Sequence, residues 1–94
     1  MIVSYRDKRT RMFAEDQRVG AFSGIERAAS LKLDRLDAAT SLRDLAALPG
    51  NRLESLKGDR EGRFSVRINK RWRICFRWPP GSPGPQEVEI VDYH

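Results

Sequence analysis

Hydrophobic side chains fall on alternate positions through the C-terminal third of the chain. In "RFSVRIN", Phe64, Val66 and Ile68 alternate with Ser65 and Arg67, and in "WRICFRW", Trp72, Ile74, Phe76 and Trp78 alternate with Arg73, Cys75 and Arg77. A period of two predicts strands, here joined by a turn at "NKR", with one apolar face and one basic face. The Pro- and Gly-rich "PPGSPGP" predicts a rigid turn, after which "EVEIVDYH" returns as a last strand. Upstream the period changes. Ile25, Ala29, Leu33 and Leu36 recur at helical spacing and predict a helix over about 24–39, with Ser23 and Glu26 as a capping box and Arg27, Lys32, Asp34 and Arg35 on its other sides. Leu31 falls off this stripe and reads either as an ordinary exposed leucine or as part of a partner-binding surface. Before it, "MIVSY" predicts a short strand and "RDKRTRMFAEDQ" a first helix capped by Asp7, while "ATSLRDLAALPG" predicts a short helical turn closed by Pro49 and Gly50.

A short strand, two helices, a short turn and then three or four hairpin-connected strands predict an α+β fold, with the two N-terminal helices on one face of a mainly antiparallel sheet of four to five strands. Ninety-four residues, 39% hydrophobic and 33% charged, suit a single globular domain spanning 1–94. One cysteine, Cys75, excludes an internal disulfide, and a single histidine leaves no Cys/His cluster for zinc, so no metal or cofactor is expected. No apolar run is long enough for a membrane span or a signal peptide, which predicts a cytoplasmic protein without membrane contact.

Charge narrows the chemistry. The net charge is +5, carried by 14 Arg and 4 Lys. Arginine enrichment favours planar, bidentate contacts to phosphate or carboxylate, so nucleic acid is the default partner, with an acidic protein or mere solubility as the competing explanations. Cutting RNA needs a base near the 2′-hydroxyl, an acid for the leaving oxygen and cations around the phosphorane-like transition state. Glu54, Lys57, Arg67, Arg73, Arg77, Asp92, Tyr93 and His94 are the candidates on or beside the basic face. Arg73 can clamp a phosphate, with Lys57 as a second cation and Arg67 and Arg77 extending the RNA-binding surface; a solvated strand face is the competing reading for Arg73 and Arg77. Arg60 and Arg63 read as plain surface. His94 follows Asp92 and Tyr93 at the last position, either as a proton donor near neutral pH or as a frayed tail.

The block "RLESLKGDREGRFSVRINKRWRICFRW" with the terminal "DYH" resembles the HigB branch of the RelE toxin superfamily, and the "MIVSYRDK" start and "SGIE" helix entry extend the likeness over nearly the whole chain. The resemblance implies helices against a curved sheet and a ribosome-dependent endonuclease cutting messenger RNA in the aminoacyl site of the small subunit. It also implies a HigA-type helix-turn-helix antitoxin, through which alone the toxin would meet DNA. By position it assigns catalysis or substrate positioning to Lys57, Arg73, Asp92, Tyr93 and His94.

The sequence departs from the family at one place. Where the family usually reads "LHPLKG", this chain reads "LESLKG", with Glu54 and Ser55 in place of His and Pro. Glu54, beside Lys57 and Arg73, can then act as base, similar to the Glu, Arg and His set of the YoeB-like toxins, with His94 as acid. Tyr93 would stack on a base or orient the phosphate, and Asp92 would hold His94 in one tautomer or position. Two alternatives stand beside this: Glu54 as a surface acid paired with Lys57 or Arg52, and the whole chain as a non-catalytic ribosome- or antitoxin-binding module with a degenerate nuclease site.

Overall fold

The computed structural model describes residues 1–92, the side chain of Arg60 excepted, so Tyr93 and His94 lie outside the described residues. Three helices, α1 (Lys8–Ala14), α2 (Glu26–Ala38) and α3 (Leu42–Ala46), precede four strands, β1 (Glu54–Ser55), β2 (Arg63–Arg67), β3 (Trp72–Arg77) and β4 (Gln86–Asp92). The strands form one antiparallel sheet in the order β1-β2-β3-β4. The α+β class and the segregation of helices from strands are as the sequence predicts.

Local chemistry accounts for most helix boundaries. Asp7 caps α1, its carboxylate accepting the Thr10 N–H at 3.0 Å. That helix stops sooner than the pattern suggests, because Asp16 turns the chain into the left-handed region at φ 65°. The helix α2 also starts later than expected. A short 3-10 turn over Gly20–Phe22 comes first, and Glu26 reaches back to the Gly24 N–H at 2.8 Å instead of closing a box with Ser23. At α3, Ser41 Oγ caps by accepting the Asp44 N–H, and the Asp44 carboxylate reaches back to the residue before the cap, accepting the N–H and hydroxyl of Thr40. Those bonds hold the Asp44 carboxyl below its usual value.

The apolar periods meet in one core. Ile25, Ala29, Leu33 and Leu36 of the predicted stripe are buried, and Leu31 is exposed. They pack on Val66, Ile74 and Ile90, which lie side by side across β2, β3 and β4. Phe22 is fully buried, edge-on to Phe13 at 5.4 Å and to Trp72 at 5.8 Å. Thr10 Oγ1 accepts the Ile90 N–H at 3.0 Å and pins α1 to β4.

The opening residues do not make the strand expected of "MIVSY". They run beside β4, with Val3 donating to Pro85 O and Arg6 to Val88 O, but among the described residues they form a single parallel bridge, Tyr5 to Val88. Pro85 offers no N–H, and Glu87 sits at φ 50° beside a register shift, so the edge is too irregular for a ladder. Gly84 is required here. A Cβ on it would lie 1.8 Å from the Met1 carbonyl oxygen, within backbone rather than a movable side chain. Gly84→Ala is therefore expected to cost about 1–3 kcal/mol in urea unfolding by displacing the first residues from β4; an unchanged midpoint would show that this segment contributes nothing.

Candidate active site

Because β2 and β3 bury one face against the helices, their other face is available, and the register decides what it displays. Glu54, Ser65, Cys75 and Glu89 are successive cross-strand partners in one row, and Arg67 faces Arg73 in the next. Ser65 and Cys75 are too short to rise above their neighbours and are buried beneath the long side chains around them.

Arg73 is the centre of the arrangement. Its guanidinium donates through Nη1 to Ser65 Oγ at 3.2 Å and to the Arg52 carbonyl at 3.5 Å, and through Nη2 to Glu54 Oε1 at 3.2 Å. The Arg73 side chain is 15% exposed and that of Glu54 54%. A positioned cation thus stands beside a carboxylate that still reaches solvent, a pairing able to hold a phosphate and take a proton from a neighbouring hydroxyl. Glu54 finds Arg73 as its partner, one of the two cations that the base reading sets beside it. Lys57 stays on the rim: Leu56 is buried and its N–H donates to Arg63 O at 2.9 Å, leaving the next residue exposed at the start of a 3-10 turn. Arg67 is half-buried opposite Arg73.

At the other end of the face the arginines are matched by glutamates. Arg77 pairs with Glu87 at 3.2 Å. Arg63, expected as plain surface, is instead buried, its guanidinium donating to Glu87 O at 3.1 Å and to Glu89 Oε2 at 3.0 Å. Arg6 reaches the same Glu89 oxygen at 3.1 Å. The face is accordingly less positive than the arginine count suggests. Glu87 and Glu89 were legible as the alternates of Val88 and Ile90 in "EVEIV", whereas nothing local marks Arg63 for burial. Arg63→Ala is expected to lower stability by about 2 kcal/mol, since Glu89 keeps Arg6 but loses its buried donor; chemical denaturation checks this, and a cost under about 0.5 kcal/mol would make Arg63 the surface residue that the sequence suggests.

Asp92 is placed apart from Arg73. It is the cross-strand partner of Trp72 and falls on the side of β4 that carries Ile90. Its carboxylate accepts Arg71 Nε at 2.8 Å and Nη2 at 2.6 Å, and this raises the Arg71 guanidinium above its ordinary value. Arg71 escaped the sequence reading because it sits in the "NKR" turn, where Asn69 Oδ1 accepts the N–H groups of Arg71 and Trp72 and aims that arginine at the end of β4. Tyr93 and His94 lie outside the described residues.

The Glu54–Arg73 pair lies on an open sheet face, while a cavity of about 140 Å³ lies elsewhere, among Tyr5, Phe13, Leu33, Asp16, Asp34 and Asp37. An open face suits an extended polymer better than a small molecule. Among the described residues no three His, Cys, Asp or Glu side chains converge as a metal site, and no helix is long and apolar enough to cross a membrane.

Residues 3–94 match the family described as RelE-like toxins of the type II toxin-antitoxin system HigB. Toxin HigB-1 of Vibrio cholerae serotype O1 is 41% identical over 83 residues, covering 86% of this chain and 87% of that protein. Endoribonuclease HigB of Proteus vulgaris is 32% identical over 97 residues, covering the whole of both. Among solved structures, the YoeB/ParE toxin from Agrobacterium tumefaciens superposes with a TM-score of 0.54 over 99% of this chain and 97% of that one, at 21% identity, a likeness of fold.

Proposed function

The chain belongs to the HigB family of RelE-like toxins of type II toxin-antitoxin systems, and on that premise we propose that it is an endoribonuclease that cuts messenger RNA in the ribosomal aminoacyl site. The observation that carries the proposal is the Glu54–Arg73 pair on an open, arginine-bearing face. Glu54 Oε1 is engaged by Arg73, and the exposed carboxylate takes the proton of a ribose 2′-hydroxyl. The 2′-oxygen attacks phosphorus, Arg73 and Lys57 neutralise the non-bridging oxygens, and Arg67 and Arg77 hold the flanking backbone. The bond to the 5′-oxygen breaks as His94 supplies its proton, giving a 2′,3′-cyclic phosphate and a 5′-hydroxyl. Tyr93 stacks on a base, and Asp92, anchored by Arg71, fixes the strand end from which Tyr93 and His94 continue.

An open face gives a flexible polymer little orientation, so the ribosome supplies it, and a HigA-type helix-turn-helix antitoxin restrains the toxin in the cytoplasm. The purified chain is expected to leave 5′-hydroxyl ends in messages on translating ribosomes and to cut the same RNA alone roughly a hundredfold more slowly. Equal cutting of free RNA would remove the ribosome from the proposal. Growth arrest with no new RNA ends would leave a non-catalytic binding module.

A further inference from the structure

We propose that Asn51 is the positioning residue of this site, holding the Glu54–Arg73 pair in register with Lys32 as its lock, an inference that rests on the nuclease reading above. Asn51 is almost fully buried, yet every polar group it has is used. Its N–H donates to Leu48 O at 3.3 Å, and its carbonyl accepts the Arg67 N–H at 2.6 Å. Nδ2 donates to Leu45 O at 3.1 Å, and Oδ1 accepts Lys32 Nζ at 2.8 Å. One residue therefore joins α2, the end of α3 and the end of β2. An amide side chain suits this place, because one arm donates to a carbonyl while the other accepts from an ammonium.

The site begins immediately after Asn51 in the chain. Gly50 before it and Arg52 after it both adopt left-handed backbone, at φ 87° and 46°. For arginine that conformation is uncommon and persists where surrounding structure imposes it. Between two such kinks, the Asn51 bonds fix the direction in which the chain leaves. The turn at Arg52 presents its carbonyl to Arg73 Nη1, and two residues on Glu54 meets Arg73 Nη2. The two-residue strand β1 pairs with β2 at only Glu54 and Ser55, so its own ladder is too short to set this geometry. Lys32 is half-buried to reach its partner, and desolvation, with Arg35 nearby, pulls its ammonium below the ordinary value.

The test pairs a spectroscopic readout with a kinetic one. In the full chain, Asn51→Ala is expected to shift the Arg73 Nε–H resonance in the same direction as Glu54→Gln does. It should lower kcat on ribosome-bound message about 10- to 100-fold with KM unchanged, and add less than about twofold to the loss in a Glu54→Gln background. Lys32→Met, which removes a single bond, should act in the same direction but about threefold, and it decides the matter if Asn51→Ala does not fold. An unmoved Arg73 resonance, or losses that multiply with that of Glu54→Gln, would overturn the positioning role. Should the resonance move while Glu54→Gln cuts like wild type, the role of Glu54 as base fails and the structural coupling stands.

Discussion

Glu54→Gln is expected to slow message cleavage about 10²- to 10⁴-fold, and induced expression of this variant should be tolerated where wild type arrests growth. The substitution is nearly isosteric at a residue 54% exposed on a two-residue strand, so folding stability should change by less than about 0.5 kcal/mol. Gln Oε1 still accepts from Arg73 Nη2, which keeps the guanidinium in place. What disappears is proton affinity. A neutral amide cannot take the 2′-hydroxyl proton, so the loss should appear in kcat with little change in KM. Because an imidazole can also take a proton near neutral pH, Glu54→His should recover part of the rate that Glu54→Gln loses. Wild-type cutting by Glu54→Gln would remove Glu54 from the chemistry and return it to a surface ion pair.

Arg73→Ala should cost about 10²- to 10³-fold in cleavage, the size seen when one preorganised donor to a developing charge is removed. This variant differs from the first in also disturbing structure. Ser65 Oγ, fully buried, loses the donor at 3.2 Å, and the Arg52 carbonyl loses its contact, so a stability cost of about 1 kcal/mol is expected. The exposed Glu54 contact adds little to that figure. Arg73→Lys separates the two roles: it restores charge but cannot donate to Ser65 and Glu54 together from a planar fork, so it should regain stability more than rate. Thermal melts alongside RNA end mapping check both. Arg73→Ala cutting at the wild-type rate would show that Arg73 serves only to tie β3 to β1.

The alternation of Phe64, Val66 and Ile68 and of Trp72, Ile74 and Phe76, with the stripe Ile25, Ala29, Leu33 and Leu36, determined from sequence alone which faces are buried and hence that the chain folds as helices on a sheet. Those patterns are local: hydrophobic periodicity requires only that each element hide one side. The same alternation placed Arg67, Arg73 and Arg77 together on the far face. Which charge meets which was decided by tertiary structure. Glu54 and Arg73 are 19 residues apart, Arg71 and Asp92 21, and Arg63 and Glu89 26. Sequence set Glu54 beside Lys57 and Arg73 as a base, or paired it with Lys57 or Arg52 as a surface acid; strand register supplies the contact with Arg73 at 3.2 Å. The burial of Arg63 comes from two glutamates on β4, and the four bonds of Asn51 depend on α2, α3 and β2 converging. A guanidinium or an amide carries no periodic mark of its partner; its energy depends on desolvation and on bond geometry within a few ångströms, and only the assembled sheet sets those distances.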